Sequence, residues 1–92
     1  MTEQELLEKV KEMTNYTGEY HNKFLSGWIN EAKGILANSG VNDSYLDGDC
    51  SGIVSLIITD IVDNGGASLF NDDSLLNKRI TQLALAYPRR EV

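Results

Sequence analysis

Between Gly34 and Asn77 the chain carries seven aspartates and no lysine or arginine. The densest acidic stretch, Asp43-Ser44-Tyr45-Leu46-Asp47-Gly48-Asp49, is where metal chemistry has to be weighed first. With Asp43 at position 1 of an EF-hand loop, Asp47 falls at 5 and Gly48 at 6, as calcium binding requires. Position 3 is then Tyr45, and position 12, which needs a bidentate Glu, is Val54. Two ligands are missing, so Asp49 or Ser51 reads better as the N-cap of the helix that follows. Carboxylates also recur at helical i,i+3 spacing in Glu5-x-x-Glu8 and Asp60-x-x-Asp63, a spacing that serves magnesium in nucleotide hydrolases. Such sites need a basic phosphate clamp, and here the cations lie far away in sequence, while Glu5 and Glu8 suit the dipole of a first helical turn. His21 is the only histidine, and neither Ser nor Cys stands in a nucleophile motif. No catalytic constellation emerges, and the expectation is a protein that is not an enzyme and that uses no metal or cofactor.

Charge is the next candidate for function. The chain has 8 basic and 14 acidic residues and a net charge of −6, the wrong sign for a general nucleic-acid binder. Lys78, Arg79, Arg89 and Arg90 fall within the last fifteen positions. One account is an acidic solvated middle with cations favouring helix C-termini. The other is an electrically polar subunit: a basic end at Lys78, Arg79, Arg89 and Arg90 that meets one partner, and a flexible acidic loop carrying Asp43, Asp47 and Asp49 that faces the opposite way.

These groups are positioned by helices. The run after Cys50 holds apolar pairs four apart, Ile53/Val54, Ile57/Ile58 and Ile61/Val62, which stack into one broad helical face. Ser51, Ser55 and Thr59 are expected on the opposite side. A strand would place apolar residues on both faces and leave neither polar. This central helix, about Cys50 to Asn64, ends at Gly65-Gly66. An earlier helix starts at Thr2, which forms a capping box with Glu5, carries Leu6, Leu7, Val10 and Met13 as its stripe, and breaks between Asn15 and Gly18. A second runs from Glu19 or His21 to Asn38, with Tyr20, Phe24, Trp28, Ala32, Ile35 and Leu36 inward, Leu25 and Ile29 widening the face, and Gly40 as its C′ residue. Gly27 and Gly34 within it are read as points of close helix contact. Val41 to Asp49 reads as a loop, as does Ala67 to Asp73. The last helix, about Ser74 to Tyr87, buries Leu76, Ile80, Leu83, Ala84 and Tyr87 and stops at Pro88. The fold class is therefore all-α: one small domain spanning 1–92, about four helices around the Cys50–Asn64 helix, and a short tail at 88–92.

With 92 residues, such a domain buries about 60–65% of its unfolded surface, so neighbours in an assembly can supply stability that the isolated core lacks. Cys50, the single cysteine, excludes an internal disulfide and reads as a core residue. The first twelve residues hold four Glu and two Lys and no apolar segment of a signal peptide. No apolar run reaches the length of a membrane span, and synthesis in the cytosol is expected.

Three stretches carry a family resemblance: Phe24-Leu25-Ser26-Gly27-Trp28-Ile29-Asn30-Glu31-Ala32-Lys33-Gly34-Ile35-Leu36 with Ser39-Gly40-Val41; Ile53 to Val62 closing on Asp63-Asn64-Gly65; and Leu76-Asn77-Lys78-Arg79-Ile80-Thr81-Gln82-Leu83-Ala84-Leu85-Ala86-Tyr87-Pro88. In helix order and length the chain resembles the small head–tail connector (adaptor) proteins of long-tailed bacteriophages and prophages. The resemblance implies a structural, non-enzymatic subunit of a ring, typically dodecameric, beneath the portal. That ring extends the DNA tunnel and docks a stopper or tail-completion protein. Implied partners are the portal protein, the stopper, further copies of the chain, and DNA only as passing cargo. The implied location is the virion, after assembly in the bacterial host cytoplasm. The rival from another class is a small acidic helical regulator or inhibitor, antitoxin-like or a DNA mimic.

Overall fold

The computed structural model describes residues 1–15 and 19–89, with the backbone alone at 19–23. Residues 16–18 at the expected helix break, the side chains of Tyr20 and His21, and Arg90 with the rest of the tail lie outside the described residues. Five α-helices are present among them: α1 (Glu3–Thr14), α2 (Glu19–Asn38), α3 (Asp43–Asp47), α4 (Ser51–Asn64) and α5 (Leu75–Ala86), with a 3₁₀ turn at Ala67–Phe70 between the last two. The all-α reading holds.

Each boundary has a local cause. Thr2 and Glu5 form the reciprocal capping box of α1, and Asn15 closes it in the left-handed conformation with φ 61°. Gly40, at φ 102°, turns the chain out of α2 so that the Val41 N–H reaches the Leu36 carbonyl at 3.1 Å, as in a Schellman end. Gly65, at φ 62°, does the same for α4, with the Gly66 N–H on the Asp60 carbonyl at 3.1 Å. Ser74 caps α5 by accepting the Asn77 N–H.

The core is built on α4. Cys50, Ile53, Val54, Ile57 and Ile58 are buried against Leu6 and Val10 of α1, Leu25, Ile29, Ala32 and Leu36 of α2, and Val41, Leu46 and Ile80. The helix buries Ile53/Val54 and Ile57/Ile58 as expected, but its buried face is wider than the sequence implied. Ser51 and Ser55 are buried, whereas Gly52, Leu56 and Val62 are exposed. The cause is α1, which packs on the serine side and brings Met13 Sδ to 3.4 Å from the Ser55 hydroxyl that donates to it. Small side chains let a neighbouring helix come close, so the serines go inward beside the apolar pairs. Ile61, read from the sequence as core, is only partly covered.

Other expectations need correction. The segment Val41 to Asp49 is not a loop: Asn42 caps α3 by accepting the Tyr45 N–H at 2.8 Å. Gly27 and Gly34 do not mark close contacts, since a Cβ at either would meet nothing within 4 Å. On α2 it is Leu25 and Ile29 that are buried, while Phe24 is exposed and Trp28 partly covered. On α5 Ile80 is buried, Leu76, Leu83 and Ala84 are partly covered, and Tyr87 is exposed, its ring 4.7 Å from that of Tyr45.

Candidate functional site

The acidic segment is held from several sides. Lys9 of α1 meets Asp49 Oδ2 at 2.7 Å, and Arg89 meets Asp43 Oδ1 at 3.0 Å. The Met1 amine donates to the Asp47 carbonyl at 2.8 Å. Arg89 also donates from its guanidinium to the Ala37 carbonyl at the C-terminal end of α2, where the helix has no basic residue of its own in the last turn. Backbone bonds complete this corner. The Arg89 N–H reaches the Gly40 carbonyl at 2.7 Å and the Asn42 N–H the Tyr87 carbonyl at 2.9 Å, so Val41 and Pro88 form a short antiparallel bridge.

At Arg89 this geometry departs from the expected polarity. Arg89 lies against Asp43 instead of at the opposite end, and the Asp43–Asp49 segment is a capped helix with a braced exit instead of a flexible loop. Asp49 accepts the Ser51 N–H and hydroxyl as well as the Lys9 ammonium. Those bonds, Lys9 foremost, hold its carboxyl down at about 2. Burial raises the Cys50 thiol, which donates weakly to the Leu46 carbonyl; this is a packed residue and not a nucleophile.

The two i,i+3 carboxylate pairs also have work inside the fold. Glu5 accepts the Thr2 N–H, which lowers its pKa. Asp60 is buried and accepts the Ser68 N–H at 3.2 Å and the Asn64 amide at 3.3 Å. Asp60 therefore anchors the 3₁₀ turn from below. Asn77 anchors it from α5, its Nδ2 lying 2.8–3.0 Å from the carbonyls of Ser68, Leu69 and Asn71. The sequence reading passed over Asn77; an Asn at the third position of a Ser-capped helix was the available signal.

Lys78 and Arg79 are placed differently from Arg89. They sit in the N-terminal half of α5, where the helix dipole disfavours cations, and neither has an ion-pair partner among the described residues. Both face an open groove of about 890 Å³ between α4 and α5, also lined by Met13 and Tyr45. Gly52, Leu56, Thr59 and Leu75 line it, and a smaller cavity of about 300 Å³ beside it shares Leu56, Thr59, Leu75 and Arg79 and reaches Leu76 and Asn64. Leu56 is 43% exposed and Leu75 69% exposed. Among the described residues no three Asp, Glu, His or Cys side chains converge on a cation-sized site, and no helix is long and apolar enough to cross a membrane. The groove, apolar with a cationic rim, is the surface best suited to binding another chain. No protein-family model, curated protein or solved structure matches this chain.

Proposed function

We propose that this chain is a structural subunit of a bacteriophage head–tail connector, one of a ring of copies beneath the portal that extends the DNA tunnel and docks the stopper or tail-completion protein. The observation that carries the reading is the unfilled α4–α5 groove. A chain of this size leaves Leu56 and Leu75 in water beside two cations that have no ion-pair partner among the described residues, and an assembly is the setting in which such surface is buried. Its net charge of −6 suits a tunnel through which DNA must slide without being gripped. The helix order that carries the resemblance supports the same assignment.

The regulator alternative is less well supported. A DNA mimic works by presenting a row of free carboxylates, whereas Asp43 and Asp49 are paired with Arg89 and Lys9. The test is affinity capture of the tagged chain from host cells during particle assembly. Recovery of portal protein is the expected outcome. Recovery of a nuclease, polymerase or toxin in its place would overturn the assignment.

A further inference from the structure

The groove has a counterpart on the same chain. Phe70, the last residue of the 3₁₀ turn, is 88% exposed, and Asp72 and Asp73, both exposed, follow it. Phe70 is not on a loose strand. Asp60, Ser74 and Asn77 all bond the backbone of this turn, so the ring is presented from a braced support that packs on α4 and α5. A pre-organised aromatic flanked by charge has the make-up of an interface anchor, and its burial free energy is unused in the monomer.

We infer that the groove receives the Phe70–Asp73 segment of a second copy of the chain. The Phe70 ring enters between Leu56 and Leu75, and the carboxylates of Asp72 and Asp73 meet Lys78 and Arg79. Charge complementarity selects this occupant. Two copies carrying −6 each repel one another over most pairs of faces, and the repulsion is reversed where a cationic rim meets an acidic knob. The partners also match in chemistry, an aromatic for an apolar cleft and two anions for two cations. Gly52, on the groove wall, carries no side chain to block the approach and has open space where a Cβ would stand. Knob and groove are made by different residues, Phe70, Asp72 and Asp73 on one copy and Leu56, Leu75, Lys78 and Arg79 on the other. The inference deepens the connector reading and takes its biological setting from it. Self-association is measured on the pure chain without portal protein, so either statement can fail alone.

A contact centred on one aromatic and two ion pairs is small, well under the area of a stable interface, and so is weak in free solution. Sedimentation of the full chain from about 10 µM to about 1 mM should show monomer at the dilute end and reversible association at the concentrated end. Three variants at exposed positions test its chemistry: Phe70→Ser, the double reversal Asp72→Lys/Asp73→Lys, and the double reversal Lys78→Glu/Arg79→Glu. Circular dichroism checks that each keeps its helices. Each should lower the association constant about tenfold or more, and mixing the two charge-reversed variants should restore it, since a basic knob then meets an acidic rim. Wild-type chain that stays monomeric throughout would overturn the inference. So would association untouched by Phe70→Ser, or a mixture of the reversed variants that binds no better than either alone.

Discussion

Asp49 concentrates the residue-scale physics of this chain. It joins α1 to the start of α4 through Lys9 and Ser51, and its carboxyl is lowered from 3.8 to about 2. In the unfolded chain it regains the ordinary value, so in acid the unfolded state takes up a proton before the folded state does. The contribution of Asp49 is therefore complete above about pH 4 and is lost as pH falls through about 2. Urea unfolding should find Asp49→Asn less stable than wild type near neutrality, with the difference closing as the pH approaches about 2 and shrinking in high salt because the pair is exposed. The sequence offered Asp49 or Ser51 as the N-cap of α4. That position is Cys50, which makes no side-chain cap bond, yet Asp49, one residue earlier, accepts the Ser51 N–H. This local contact was legible because the two are two residues apart. Arg89 was not legible in the same way. Its acceptors, Ala37 and Asp43, are 52 and 46 positions distant, and nothing local announces a contact across the whole chain.

At the scale of elements, the long helices and their ends were readable because caps and periodicity are local properties. Thr2 with Glu5, Gly40, Gly65 and Ser74 all act where their residue types place them. The short helix α3 escaped because five residues with one buried side chain, Leu46, give no periodic signal. The width of the buried face of α4 escaped for another reason: its serines are inside because α1 lies on them, a tertiary fact. The glycines make the distinction measurable. Gly34→Ala, at a helical position with open space, should raise stability by up to about 1 kcal/mol. Gly40→Ala, at φ 102° with Ala84 Cβ 3.8 Å from the added carbon, should lower it by about 1 kcal/mol or more. In a domain of this size that is an upward and a downward shift of Tm by several degrees, read in one pair of thermal melts. Packing around α4 gives a second check. Ile57 is fully buried, and Ile57→Ala should cost about 2–5 kcal/mol by denaturant titration, with a loss under about 1 kcal/mol contradicting the central place given to this helix.

At the scale of the whole molecule, a core centred on α4 is finished on the sides facing α1 and α2 and unfinished towards α5. The apolar groove and its cationic rim lie on that unfinished side, the braced Phe70 knob stands on the turn that joins α4 to α5, and the acidic corner is tied down by Lys9 and Arg89. Such a division suits a subunit with one settled interior and one surface kept for neighbours. Sequence pattern located the helices bordering the groove but not the groove itself, because exposed Leu56 and Leu75 are indistinguishable in a hydropathy pattern from buried leucines. The proposed connector role makes a direct demand on stoichiometry. Portal rings encoded in the same genome should be mixed with the pure chain and weighed by native mass spectrometry. The account predicts a closed complement of copies on each portal ring, fixed in number as the protein is added in excess, and fewer copies with Phe70→Ser. Portal rings that bind no copies, or a single one, would contradict it.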